Sequence, residues 1–329
     1  MQNKSIRIAA SVAVCLALFV VMLGAYTRLT DAGLGCPDWP GCYGKMVLPS
    51  AENQLHIAQN NYPQIPIEAK KAWTEMAHRY VAGILALLIF FIGMGVLYKR
   101  CKGKPLPWHL PLALLILVCF QAALGMWTVT LKLLPVVVMG HLLGGMLIFA
   151  SLSRFRLQMS SLYGENFPQW RPWLRLAVVI VFCQIALGGW VSSNYAGISC
   201  IGFPQCNGQW FPHIYYVKGF NLFSVVGTNY QGGVLDTDVR VSIQFMHRIG
   251  AVVTALYLII LSLFILAKRP SRYLTIGAAI TLLLVVMQFT LGILNVLYLL
   301  PLDIAVAHNG VAALLLATVF SMLHFTRGE

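Results

Sequence analysis

The sequence predicts an all-α membrane protein whose eight transmembrane helices form two pseudo-symmetric four-helix bundles. Three observations predict it: a composition too apolar for a soluble domain, eight apolar stretches of spanning length, and an internal repeat. Of 329 residues, 59% are hydrophobic and only 10% charged, with a mean hydropathy of +0.76. Soluble domains carry about 25% charged residues. The deficit excludes a soluble globular enzyme and, more firmly, a disordered chain. The net charge of +13 raises nucleic acid as a partner, but basic loops also orient membrane proteins, and that explanation is tested first.

A bilayer core of about 30 Å needs roughly 20 apolar residues per helix. Stretches near 6–26, 74–98, 108–129, 135–157, 173–192, 242–267, 273–298 and 301–325 qualify. The first is read as a retained helix and not a removed signal peptide, because the polar loop after Tyr26 offers no convincing small-residue cleavage site. No Arg- and Ser-rich transit segment precedes it, which favours a bacterial plasma membrane over organelle import. Lys4, Arg7, Lys99, Arg100, Lys102 and Lys104 fall on one side of these spans. Arg154, Arg156, Arg171, Arg175, Lys268, Arg269, Arg272 and Arg327 join them in short segments. That side is therefore cytoplasmic, with both termini on it. The long loops 27–73 and 193–241 lie outside. Topology accounts for the charge, and no nucleic-acid partner is expected.

The chain repeats itself. Gly24, Gly33, Cys36, Pro40, Cys42 and Gly44 recur at an offset of 164 as Gly188, Gly197, Cys200, Pro204, Cys206 and Gly208. His78-Arg79 recurs as His247-Arg248, and Gln121, Leu124, Gly125 and His141 recur as Gln288, Leu291, Gly292 and His308. Each half thus carries four helices, and an even number leaves both halves in the same orientation. The expected division is 1–160 and 161–329, related by a pseudo-two-fold axis along the membrane normal. Inverted-repeat transporter designs are disfavoured.

Four of the eight histidines sit in repeat-equivalent places: His78 with His141, and His247 with His308. Each is expected about one turn inside the outer end of its span, so the two imidazoles of a half reach similar depth. Two facing imidazoles suit a six-coordinate haem iron. Helix bundles build cofactor sites in this way, and the repeat predicts two of them. Small residues one turn further on, Ala82, Gly144, Gly145, Gly250, Ala251 and Ala312, would let a flat macrocycle approach the backbone. His56, His109, His213 and His324 have no repeat partner and are expected not to bind iron.

Arg79 and Arg248 follow two of the histidines directly. They are candidates for haem propionates, which suit a guanidinium's bidentate geometry; the alternative is snorkelling to headgroups. Cys36 with Cys42, and Cys200 with Cys206, lie in the outer loops with five residues between partners. An oxidising compartment permits structural disulfides there, and a redox role for one pair is the alternative. Cys15, Cys101, Cys119 and Cys183 read as packing residues or free thiols.

The halves differ in their ionisable groups. Arg28, Asp31, Asp38 and Glu75 correspond to Ser192, Tyr195, Gly202 and Gln244. Glu75, three residues before His78, shares its helical face and is placed to move a proton beside a bound macrocycle. A carboxylate at the positive end of a helix is the other explanation. A substrate site beside an electron-transfer site is the simplest account of two unequal histidine pairs.

The run from Gly24 to Pro40, with Arg28, Asp31, Gly33, Cys36, Asp38 and Trp39, resembles the first outer loop of haem A synthases. Glu75-x-x-His78-Arg79, the paired histidines and the eight-helix repeat are similar too, so the resemblance covers essentially the whole chain. It implies oxidation of a ring methyl of haem O to a formyl group, by successive hydroxylations and loss of water, for the haem A of terminal oxidases. It also implies that His78, His141 and Glu75 hold haem O or haem A, while His247 and His308 hold a permanent haem b. Contacts with a haem O synthase and with cytochrome oxidase assembly factors follow by the same resemblance. So does an electron acceptor or donor that the sequence does not identify.

Three other readings use some of these residues. A dihaem b-type electron carrier linked to quinone explains the histidines but leaves Glu75 and the Cys-bearing loops without a task. A non-enzymatic haem-handling protein predicts exchangeable haem with unchanged substituents. A disulfide–quinone exchanger leaves the histidine pairs idle.

Overall fold

A computed structural model describes residues 4–63, 65–104, 106–160, 167–222 and 229–326. Arg327 and the expected boundary segment after residue 160 lie outside the described residues. The helices are α1 (Lys4–Leu29), α2 (Glu52–Asn61), α3 (Ala69–Cys101), α4 (His109–Thr130), α5 (Pro135–Gln158), α6 (Arg171–Ser193), α7 (Tyr216–Gly219), α8 (Thr237–Lys268), α9 (Arg272–Leu297) and α10 (Leu302–Met322). Eight are long and apolar enough to cross a membrane, α2 and α7 being the short exceptions. The described residues contain no strand, only isolated bridges at Cys42–Lys45 and Cys206–Gln209. The protein is a multi-pass membrane protein.

Helix contacts come in matching pairs. α1 and α4 each pack on α3 and α5; α6 and α9 each pack on α8 and α10. Between the two groups α5 lies against α10, while α1 meets α10 and α5 meets α6. The shared core runs through this seam, where Ala10, Ala13, Ala17, Ala313 and Ala317 are buried; small side chains let helices approach closely without a hydrophobic driving force.

The backbone repeats even where residue types do not. Asp31 and Tyr195, Tyr43 and Asn207, Lys132 and Leu299, and Leu133 and Leu300 all adopt positive φ. Each pair stands at the repeat offset of its segment, and such conformations are uncommon outside glycine. Both loops also carry a cis proline in the same place, Trp39–Pro40 and Phe203–Pro204.

α3 and α8 differ from expectation in length. They start at Ala69 and Thr237, five residues before the apolar stretches. A helix satisfies its own backbone hydrogen bonds, so polar sequence such as Lys70-Lys71 extends it beyond the apolar window. Along the helix, His78 and His247 therefore stand more than two turns from the first residue, whereas His141 and His308 stand six residues in.

Candidate functional site: a cavity with two histidine pairs

One cavity of about 1490 Å³ is lined by all four repeated histidines. A single small-molecule pocket typically measures about 300–1,000 Å³, so this space exceeds one such site. The imidazoles of His78 and His141 face each other with ring centroids 6.5 Å apart and planes at 81°. A metal–imidazole bond of about 2.0 Å on each side, plus a ring radius of roughly 1.1 Å, would put the centroids of two rings that share one metal up to about 6.2 Å apart. The centroid separation of the first pair is close to that value. Nδ1 of His78, His141 and His308 is buried without a partner, and burying a polar atom unpaired is costly. His56, His109, His213 and His324 lie away from the cavity: His56 pairs with Asn60, and the others lie against Tyr215, Trp108 or Phe325.

Each paired imidazole rests on a glycine of the neighbouring helix. A Cβ added at Gly24 on α1 would come within 2.9 Å of His78 Cε1, and one at Gly188 on α6 within 3.1 Å of His247 Cε1. Gly125 on α4 and Gly292 on α9 stand in the same relation to His141 and His308, at 3.2 and 3.3 Å. The same four glycines belong to the repeat, so their recurrence was a signal for this cradle that helix-packing arguments alone did not reveal.

Glutamines complete the setting. Gln121 Nε2 donates to the His141 carbonyl at 2.7 Å. Gln184 Nε2 donates to the His247 carbonyl and lies 3.0 Å from its Nδ1. Gln288 Nε2 lies 3.2 Å from His308 Nε2. The structure corrects the expectation that Gly144 and Gly250 leave room for a macrocycle. A Cβ at either would strike Gln121 or Gln184 Oε1, at 2.1 and 2.3 Å; the space beside these glycines holds a glutamine. Ala82, Gly145, Ala251 and Ala312 do line the cavity.

Glu75 lines the cavity and is 4% exposed. Its Oε2 accepts from the Cys36 backbone N–H at 2.9 Å, and its Oε1 from Arg79 at 2.5 Å. Neither a proton-transfer role nor a helix-end carboxylate anticipates this tie to the loop. Gln244, in the matching place, is buried with Oε1 unpaired.

Arg79 also donates to the carbonyls of Asp38 and Gly41. Arg248 donates to those of Cys200, Gly202 and Gln205. Both guanidiniums therefore clamp the cysteine loops onto α3 and α8. Asp38 caps the turn beneath, accepting from the backbone N–H groups of Tyr43 and Gly44 at 2.6 and 2.8 Å. Within these loops Cys36 is bridged to Cys42 and Cys200 to Cys206, and all four are buried. Cys15, Cys101, Cys119 and Cys183 are exposed and unbridged, hence free thiols and not packing residues.

Arg28 joins the halves. Its guanidinium donates to the Ser192 carbonyl at 2.5 Å and lies 4.0 Å above the Tyr195 ring. Ser192 is the repeat counterpart of Arg28 itself, so the two halves meet here at equivalent positions.

A family model described as COX15-CtaA, cytochrome oxidase assembly protein, matches residues 7–320. The chain is 42% identical over 318 residues to the heme A synthase of Shewanella oneidensis, with 94% of this chain and 92% of that protein covered. It is 30% identical over 343 residues to the heme A synthase of Allorhizobium ampelinum, with 94% and 87% covered. For the heme A synthase of Shouchella clausii the identity is 26% over 316 residues, with 93% and 90% covered. A match that begins in α1 and ends in α10 takes in both histidine pairs and both cysteine loops. The chain belongs to the COX15-CtaA family of cytochrome oxidase assembly proteins.

Proposed function

We propose that this chain is a haem A synthase, an oxidoreductase that converts a ring methyl of haem O to the formyl group of haem A. The observation that carries the reading is a half-buried histidine pair, ring centroids 6.5 Å apart in one cavity, with a carboxylate in the wall of the same cavity. The names of its relatives support the same activity. The chain divides into an N-terminal half, residues 1–160, that takes the substrate haem, and a C-terminal half, residues 161–329, that keeps a haem b.

In this reading His78 and His141 hold haem O, and later haem A, by its iron; His247 and His308 hold the haem b. Iron bound between imidazoles supplies one-electron chemistry whose potential the protein sets through ligands and burial. The chain's own residues do the rest. The glycine cradle fixes the imidazole positions, and Gln121 and Gln184 pin the backbone carbonyls of His141 and His247. Glu75, held at both oxygens by Cys36 N–H and Arg79, receives or returns a proton as the substrate methyl is hydroxylated and water is lost, a contribution of about 10²–10⁴-fold for such groups.

In this reading the membrane is the bacterial plasma membrane, with both termini cytoplasmic and the bridged loops outside, an orientation that the distribution of Lys and Arg supports. A haem O synthase supplies the substrate, and oxidase assembly factors receive the product. The test is chromatography of haem extracted from protein co-produced with a haem O synthase. Haem A or a hydroxylated precursor beside haem B is the expected result. Haem B alone, with haem O available, would overturn the synthase reading in favour of an electron carrier.

A further inference from the structure

Hydrogen-bond donors without acceptors collect at the loop-bearing end of the cavity. Nε of Arg28, Arg240 and Arg248 and the hydroxyl of Tyr195 are buried and unpaired, and all four residues line the cavity. Arg248 spends its terminal nitrogens on loop carbonyls, and Arg28 reaches Ser192 and Tyr195. The side chain of Arg240 makes no hydrogen bond or ion pair among the described residues. The acids that line the same cavity, Asp31 and Glu75, both come from the first half, where they pair with Arg28 and Arg79. Buried donors are normally satisfied. Guanidiniums that meet no carboxylate of their own half therefore point to an anionic ligand.

The position of Arg240 says which anion. Arg240, Gln244 and His247 stand at i, i+4 and i+7 on one face of α8. At 1.5 Å rise per residue, Arg240 is about 10 Å further toward the loops than His247. The two carboxylates of a tetrapyrrole held between α8 and α10 would be within reach of a cation at that level. We propose that Arg240 binds the carboxylates of the tetrapyrrole held by His247 and His308, through the paired N–H geometry that guanidinium offers carboxylate. This rests on the bound-haem reading above, and it moves the carboxylate contact away from Arg79 and Arg248, whose terminal nitrogens are taken by Glu75 and by loop carbonyls.

The first half lacks the device. Lys71 stands seven residues before His78, in the place of Arg240, but is paired with Glu68 at 2.9 Å and does not line the cavity. The second tetrapyrrole is thus fastened by iron and carboxylates together, the first by iron without a matching cation. That difference separates a group that stays from a substrate that must leave.

The full-length protein, produced under haem limitation in a His78→Ala background, is titrated with haem b and with its dimethyl ester, which keeps the iron and neutralises both carboxylates. Binding is read from the low-spin visible bands. The unaltered second site is expected to prefer the free acid by roughly ten- to a hundred-fold, the range for hydrogen bonds to charged groups. Arg240→Gln removes most of that preference, and Arg240→Lys retains part of it. Equal binding of acid and ester to the unaltered site, or an Arg240→Gln protein with undiminished preference, overturns the proposal while leaving the haem reading intact. Failure of both ligands to give low-spin bands overturns the haem reading, and this assignment with it.

Discussion

Glu75 and Gln244 occupy matching places on α3 and α8, three residues before a cavity-lining histidine, yet their surroundings differ. Glu75 is locked to the Cys36 amide and to Arg79; Gln244 leaves its oxygen unpaired. The same contrast runs through the rest of the two halves. The second adds Gln184 on His247, where the first has Val20. It also turns Arg240 into the cavity, where the first has Lys71 paired outside it. One scaffold built twice has kept its histidines and glycines and changed the charged groups around them. The repeated residues make a place for a macrocycle, and the unrepeated ones decide what happens there.

Closing the glycine cradles breaks the comparison most severely. Gly24→Val would drive a branched side chain into the space of His78, and Gly188→Val into that of His247, since even a bare Cβ reaches 2.9 and 3.1 Å. With two unequal sites, the first variant loses formyl-haem production almost completely while keeping haem B, and the second loses haem B itself. Haem content per protein, read by pyridine haemochrome spectra, distinguishes them. Loss of haem B from both would mean that the cradles serve folding and not separate sites.

Glu75→Gln makes the first half resemble the second. It should lower haem O oxidation by about 10²–10⁴-fold without altering the low-spin bands, as measured by product chromatography. Wild-type haem A output from that variant would remove Glu75 from the chemistry and leave it as a loop tie. A Glu75→Gln protein that also becomes protease-sensitive in the 27–73 loop would show how far the tie to Cys36 matters.

The cysteine bridges sharpen the comparison at smaller amplitude. Each closes a seven-residue loop, for which chain entropy predicts about 2.4 kcal/mol. Cys36→Ser and Cys200→Ser should therefore lower thermal stability by similar amounts. If only Cys36→Ser also stops turnover, the first bridge has a redox task. Lys71→Gln marks the bottom of the scale, because its ion pair with Glu68 is exposed; a change of about 0.5 kcal/mol or less is expected in a denaturation midpoint.

Much of the molecule was legible in the sequence. Spans longer than 18 apolar residues identify themselves, because a bilayer admits few alternatives to a helix. The histidine pairs and the cysteine spacing repeat at fixed offsets and needed no structure to be found. The ends of α3 and α8 were not legible, because Ala69–Trp73 and Thr237–Val241 are helical by continuation and not by hydropathy. The roles of Arg79 and Arg248 were hidden for a different reason: their partners are backbone carbonyls of loops some forty residues away. Carbonyls leave no mark in residue type. Gly144 and Gly250 misled because a small residue makes room without saying for what, and the occupant is a glutamine from the next helix.

Whether the two histidine pairs hold two different tetrapyrroles is decided by comparing haem extracted from two double variants, His78→Ala/His141→Ala and His247→Ala/His308→Ala. Each is co-produced with a haem O synthase. Two distinct sites predict haem B without haem O or haem A from the first variant, and loss of haem B from the second. Haem B lost equally from both, or lost from the first and kept by the second, would contradict that assignment.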